Sequence, residues 1–273
     1  MKLSFDVSDA AEERYENDAI IDGWLKFRYR PFESACFGNK SAEILEWETH
    51  DFPVLFHSFL LDKEFIVDDF CYLRLHSADI QKIKQAEAAG FYFIESSIIP
   101  YLQLKTWNRE AFIRYIKPMM SVTSETFPVV EQIARSTFRG LRFNLDSNIG
   151  DERADKRYLT WLRNARDNNE DILVMEHRDR IIGFSLLRFE GTISDASPRG
   201  DRVVYRLAGI HPDFKNAGLG MMLYASTVAY SQDQGAKHID GGFSVANVPV
   251  LNIMSNLGFL YRDPTVVLHY YVI

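Results

Sequence analysis

The stretch Leu207-Ala-Gly-Ile-His-Pro-Asp-Phe-Lys-Asn-Ala-Gly-Leu-Gly220 decides how this chain is read. A strand-like run ends at a His-Pro dipeptide, a short polar loop carries Lys215, Gly218 and Gly220, and apolar residues resume at Leu219 with helical spacing. The first N–H groups of a helix lack partners within it and point, with the positive end of its dipole, at one spot. Glycine there lets a phosphate oxygen approach the backbone. The turn therefore predicts a cradle for a diphosphate, with Lys215 adding a point charge; a purely structural strand-to-helix turn is the competing reading. Neither the G-x-G-x-x-G spacing of a dinucleotide fold nor G-x-x-x-x-G-K-[ST] is present, which disfavours NAD and ATP.

Outward from this turn, residues 203–210 read as a strand and 218–232 as a helix with Leu219, Met222, Leu223, Ser226 and Tyr230 along one face. Residues 239–245 read as a strand, 248–257 as a helix stopped by Gly258, and 266–271 as a final strand. Upstream, Pro128 opens a helix to about Phe138, a second helix covers 152–166, and strands 172–175 and 181–189 flank the turn His177-Arg178-Asp179-Arg180. This order predicts an α/β (α+β) domain with a mixed sheet.

The first half echoes the second: strand 71–75, helix 78–89 and strand 91–99 meet at Ala89-Gly90-Phe91, as 239–271 meet at Leu257-Gly258-Phe259. The first thirty residues read as an irregular lead-in. A turn-rich passage between Pro118 and Pro128 sets the expected boundary, giving a smaller N-terminal α/β domain over 1–117 and a second domain over 118–273.

Ile210-His-Pro212 followed by Lys215-Asn-Ala-Gly218-Leu-Gly220 resembles the signature of the GNAT family of acetyl-CoA-dependent N-acetyltransferases, with Lys at the usual Arg or Gln position. Asn247, the helix after it and Gly258-Phe259 resemble a second family element. The resemblance implies a GNAT fold with a mixed, largely antiparallel central sheet, preceded by a partial GNAT-like unit. It implies acetyl-CoA (coenzyme A) as the cofactor, its pantetheine lying where a bulge splays two strands apart. Backbone groups of Ala208 and Ile210 would hold it, with the Ala208 N–H polarising the thioester carbonyl. Lys215, Asn216, Ala217, Gly218, Leu219, Gly220 and Met221 would take the pyrophosphate, and Asn247 the cofactor arm. The family commonly places a proton-donating tyrosine where this chain has Met254. Ser255, Tyr205 and Tyr261 are nearby donors, and His211, His238 and His269 are bases without an assigned role. Glu33-Ser-Ala-Cys-Phe-Gly38, Arg142-Phe143 and Tyr158-Leu-Thr-Trp161-Leu-Arg-Asn164 are similar to stretches of TDP-aminosugar (dTDP-fucosamine type) acetyltransferases.

Composition bounds the rest. At 273 residues the chain holds one to two domains at about 150 residues each. With 47% hydrophobic and 25% charged residues it is an ordinary globular sequence rather than a disordered or fibrous one. A net charge of −7 offers no overall field for nucleic acid or anionic lipid, so an anionic ligand is held locally. Two cysteines, Cys36 and Cys71, make no disulfide framework and no zinc spacing. The acidic N-terminus lacks a secretory pattern, and the most apolar stretch, 52–61, is too short to span a bilayer. The expectation is a cytoplasmic N-acetyltransferase without metal, nucleic-acid partner or membrane span. Its acceptor is expected to be a small-molecule amine, a nucleotide sugar first among the candidates. A homodimer and a degenerate acyl-CoA-binding sensor are left open.

Overall fold

A computed structural model describes residues 10–17, 21–138, 141–214 and 217–273. The chain divides into two compact units, each discontinuous in sequence. Unit 1 comprises Met1–Ser97, Arg142–Arg153 and Pro264–Ile273; unit 2 comprises Ile98–Leu141 and Ala154–Asp263. Among the described residues no helix is long and apolar enough to cross a membrane.

Unit 1 contains β1 (Glu13–Asn17), β2 (Ile21–Tyr29), α1 (Pro31–Phe37), β3 (Ser41–Thr49), α2 (Phe52–Asp62), β4 (Phe70–His76), α3 (Ile80–Ala88) and the start of β5 (Tyr92–Gln103). Strands β1, β2, β3 and β4 pair in that order, β3 with β4 in parallel and the others antiparallel. The region read as an irregular lead-in is thus two strands. Its polar residues alternate with buried Tyr15, Leu25 and Phe27, a period-2 pattern hidden by the aromatic and charged composition. Helices α2 and α3 cover one sheet face with a core built on Phe52, Leu55, Phe56, Phe59, Trp47 and Phe91.

Unit 2 carries β6 (Met120–Ser121), α4 (Phe127–Thr137), most of α6 (Gly150–Asp167), β7 (Asp171–His177), β8 (Arg180–Glu190), β9 (Arg202–Ile210), α7 (Leu219–Asp233), β10 (His238–Asp240), β11 (Phe243–Ser244) and α8 (Val248–Asn256). The short α5 (Arg142–Leu145) belongs to unit 1. The strand order of unit 2 is β5-β10-β9-β8-β7-β6, with β11 also on β5. Helix α7 was expected to bury one face, but residues from Leu223 to Ala229 are all buried. The segment after β5 covers its outer side: the Lys117 N–H donates to Ser226 Oγ at 2.8 Å, and the Gln232 amide donates to the Leu104 carbonyl at 2.9 Å.

The echo seen in the sequence is a repeat at constant spacing. Residue numbers in the second copy exceed those of the first by 168: α3 against α8, Gly90 against Gly258, β5 against β12 (Leu260–Tyr271). Both helices end alike. Phe91 N–H donates to the Ala86 carbonyl and Phe259 N–H to the Met254 carbonyl, each at 3.0 Å, with Gly90 at φ 95° and Gly258 at φ 89°.

The last strand of each copy pairs in the other unit, in the same register. His269 of β12 lies opposite Tyr72 of β4, and Tyr101 of β5 lies opposite Asp240 of β10. This exchange is why the compact units differ from the expected cut at 117/118: β5 and β12 each run through both.

Candidate functional site

The site is built on β9 and its neighbours. Residues 202–204 of β9 pair in parallel with 238–240 of β10, and there the pairing stops. At the same level β9 carries a bulge: Leu186 faces Leu207 and Leu187 faces Tyr205, leaving Arg206 unmatched against β8. A Cβ on Gly241 would stand 2.4 Å from the Tyr205 carbonyl, so only glycine lets the two chains pass so closely before they part. Beyond this point β11 pairs with β5 rather than with β9.

Ladder alternation sets which backbone groups face the gap. The His211 N–H donates to the Ile182 carbonyl at 2.9 Å, which makes 211/182 a hydrogen-bonded pair. Alternation along β8 then makes 209/184 bonded and 210/183 and 208/185 unbonded, so the N–H and C=O of Ala208 and Ile210 turn away from β8. The Ile210 carbonyl accepts from Thr137 Oγ1 at 3.3 Å. Ala208, half-buried, puts only a methyl group on the α7 side.

Helix α7 begins on Gly218, which holds φ 74° with no side-chain cap, and its first turn has no acidic residue. Among the described residues, a Cβ at Gly218 would meet nothing within 4 Å. At Gly220 a Cβ would press on the tip of the Ile253 side chain, Cδ1, on α8 at 2.8 Å, so glycine keeps the two helices close there without moving it. The Ala217 N–H is spent on the Phe214 carbonyl at 3.3 Å, which leaves the amides of Gly218, Leu219, Gly220 and Met221 as the ones at the helix start that could serve an anion. Lys215 and Asn216 lie outside the described residues. Asn247 precedes α8 and its side chain makes no capping hydrogen bond. These features fit a pyrophosphate and an extended arm.

The donors expected near Met254 have their protons committed elsewhere. Met254 is fully buried in the unit 2 core, and its thioether is a packing group. The Thr227 hydroxyl donates to the Leu223 carbonyl at 2.8 Å, so Ser185 Oγ must donate to Thr227 at 2.8 Å and the Tyr205 hydroxyl to Ser185 at 2.8 Å. This buried relay runs into the core; burial pushes the Tyr205 phenol up to about 12. Tyr261 donates to the Leu251 carbonyl at 2.6 Å, which leaves Ser255 donating to Tyr261 at 2.6 Å.

The histidines are similarly engaged. His211 Nδ1 accepts from the Asp213 N–H at 3.2 Å. Burial depresses the His238 imidazole. His269 belongs to unit 1, where Arg142 Nε donates to its Nε2 at 2.8 Å and its Nδ1 meets Asp146 at 2.5 Å.

The N-terminal motifs also fall in cores: Glu33 pairs with Arg30 at 3.3 Å, Phe37 packs on Phe143 at 5.5 Å, and Tyr158 and Trp161 are buried on α6. The resemblance implied a bulge on this strand; its place at Arg206 and the proton directions are features that no residue pattern in the sequence announces.

Residues 129–259 match the model of the acetyltransferase (GNAT) family. Among curated proteins no relative matches the sequence. Among solved structures, a tandem GNAT protein from the clavulanic acid biosynthesis pathway is similar over 96% of this chain and 83% of its own, at 13% identity and a TM-score of 0.53. A functionally unknown conserved protein from Staphylococcus epidermidis is similar over 94% and 97%, at 12% identity and TM-score 0.58. A glucosamine N-acetyltransferase region of a fungal multi-domain β-N-acetylglucosaminidase is similar over 91% of this chain and 31% of that one, at 10% identity and TM-score 0.61. The chain has the GNAT fold, in a two-unit architecture.

Proposed function

We propose that the protein is an acetyl-CoA-dependent N-acetyltransferase whose acceptor is a primary amine on a nucleotide-linked amino sugar. The observation that carries the reading is the pairing of a strand edge that β8 leaves open at Ala208 and at the Ile210 N–H with a helix N-terminus at Gly218 that has no side-chain cap. Bound acetyl-CoA supplies an activated acetyl thioester. The amides of Gly218, Leu219, Gly220 and Met221 take the pyrophosphate, the edge groups of Ile210 and the Asn247 amide hold the arm, and Lys215 adds charge at the same loop. The Ala208 N–H stabilises negative charge on the thioester oxygen by a backbone dipole that needs no reorganisation.

The protons of Tyr205, Ser255 and Tyr261 are directed into carbonyls or other hydroxyls, so none serves as the acid for the departing thiolate. Orientation and the low basicity of a thiolate carry that step instead. The amino sugar as acceptor rests on the likeness of 33–38, 142–143 and 158–164 to TDP-aminosugar acetyltransferases, a likeness carried here by packed side chains, and on the glucosamine N-acetyltransferase region named for one structural neighbour. A catalytically silent acyl-CoA-binding module is the second reading, favoured by the burial of Met254 where the family has an acid.

Purified protein incubated with acetyl-CoA and a panel of TDP- and UDP-aminosugars should release free thiol in an amine-dependent way. Coenzyme binding without amine-dependent release would leave the silent module as the answer. Gly218→Glu, which places a carboxylate at the cradle, should abolish coenzyme binding. Gly218→Asn, tolerated at positive φ, should bind, and equal affinity in the two variants would remove the cradle from this loop.

A further inference from the structure

The first half of the chain keeps the strand geometry of the coenzyme cleft. Strands β3 and β9 are each nine residues long, and each starts its parallel pairing at its first residue: Ser41 against Phe70, Arg202 against His238. Each then carries one unmatched residue at its fifth position, Leu45 on β3 and Arg206 on β9. The parallel pairing ends just before the bulge in both, at Ile44/Leu73 for β3 with β4 and at Val204/Asp240 for β9 with β10. The strand divergence that opens a cleft in unit 2 is therefore present twice.

What differs is what fills it. At the seventh position of the strand β9 has Ala208 and β3 has Trp47. The Trp47 indole, 3% exposed, stacks on Phe52 at 4.1 Å and 23°, wedged between its strand and the first residue of α2. It is locked there: Nε1 donates to Gln85 Oε1 at 2.9 Å, and the Lys82 ammonium sits over the ring at 5.2 Å. Strand and helix are joined by residues 50–51, where unit 2 has 211–218, so no loop circles a phosphate. The helix start is also self-capped. Asp51 Oδ1 accepts from the Val54 N–H at 3.2 Å, and Pro53 offers no donor. A carboxylate at this end repels an anion where a bare cap attracts one.

We infer that unit 1 contains a second, closed copy of the coenzyme cleft, with Trp47 seated in the space that Ala208 leaves open, so that the chain binds one acyl-CoA and not two. This rests on the proposed reading of unit 2 for the ligand's identity, but not for the closure itself. The first copy's contribution to the working cleft is β5, the antiparallel partner of β10 and β11.

Calorimetric titration of the full chain with acetyl-CoA should give one site per chain, and the same titration of Gly218→Glu should give none. The reciprocal variant Ala208→Trp should remain cooperatively folded and lose binding at least a hundredfold. Two sites in the wild type, a site of undiminished affinity in Gly218→Glu, or undiminished binding by Ala208→Trp would each overturn the inference. Wild type that binds no acetyl-CoA would refute the proposed function while leaving the first cleft closed, so the two failures are distinguishable.

Discussion

The two strand-to-helix connections, 50–51 and 211–218, leave strands of the same length and bulge position and arrive at helices of opposite chemistry. One helix opens with a carboxylate cap and a proline, the other with a glycine at φ 74° and no cap. The difference teaches that a bulged strand pair is only a scaffold. Whether it can receive a ligand is decided by one strand side chain, the loop length and the cap residue. Unit 1 spends all three on its own stability: its tryptophan adds core and its aspartate satisfies an orphan N–H. Unit 2 leaves them unspent, and a bound anion would stabilise its uncapped helix start.

The widest test of the comparison is to cut the copies apart. A chain beginning at residue 118 lacks β5, so β10 and β11 lose their antiparallel partner, and β12 loses β4. Circular dichroism and thermal melting of residues 118–273 should show no cooperative transition, whereas the full chain unfolds sharply. A cooperatively folded 118–273 would show that each copy stands alone and that the exchanged strands are incidental.

Next in size is Trp47→Ala. The indole is buried against Phe52 and belongs to the core that also holds Phe56 and Phe91, and removing it leaves a cavity. Denaturant titration should report a loss of about 3–5 kcal/mol. A loss under about 1 kcal/mol would mean that the first cleft relaxes easily and that Trp47 is not what holds it shut.

The two units also differ in how they keep charge inside. At corresponding positions unit 1 has His269 opposite Tyr72, and unit 2 has Tyr101 opposite Asp240, whose carboxylate binds Arg202 at 2.9 Å. Burial, reinforced by the neighbouring Arg142, pushes the His269 imidazole down to about 3, so it is neutral in the fold. An unfolded histidine takes up its proton near pH 6.5. Between about pH 6.5 and 3 the unfolded chain therefore binds the extra proton, and stability falls as pH falls, by up to about 1.4 kcal/mol per pH unit from this group. Asp146 acts in the same direction lower down: burial alone would raise it, but its hydrogen bonds to His269, Asn148 and Tyr92 hold it below the usual carboxylate range. Chemical denaturation at pH 7.5, 6, 5 and 4 should show the decline, and His269→Gln should flatten it above pH 5. A flat wild-type profile would mean that His269 is charged in the folded state.

The sequence showed the parts of this molecule that local chemistry dictates. Gly218-Leu-Gly220 after a strand pointed to the cradle, and Gly90-Phe91 with Gly258-Phe259 pointed to the repeat, because a helix ending in the left-handed region calls for glycine. The family resemblance implied a bulge on the strand before the cradle, but the bulged residues themselves stayed hidden because Leu45 and Arg206 share no property: a bulge is a mismatch with the partner strand, and the partner cannot be read from one strand alone. The exchange of β5 and β12 stayed hidden for the same reason. Strands β1 to β3 escaped because their alternation mixes tryptophan, tyrosine, lysine and glutamate on faces of unlike polarity. Among the site residues, the roles proposed for Ala208 and Ile210 come from the family resemblance, whereas the commitment of the Tyr205, Ser255 and Tyr261 protons required donor counting in three dimensions.

The smallest effect is also the most discriminating. Asp51→Ala removes a side-chain cap and should cost about 1 kcal/mol in denaturant unfolding. If a free helix start were enough to make a coenzyme site, the variant would gain one, since a repelling carboxylate is gone and the Val54 N–H is released. Three obstacles remain: Pro53 has no N–H, the connection 50–51 is too short to surround a phosphate, and Trp47 still fills the space beside the strand. The titration should therefore still give a single acetyl-CoA per chain. A second site in Asp51→Ala would shift the cause of closure from the tryptophan to the cap, and would make the carboxylate, worth only about 1 kcal/mol to the fold, the residue that separates the two halves.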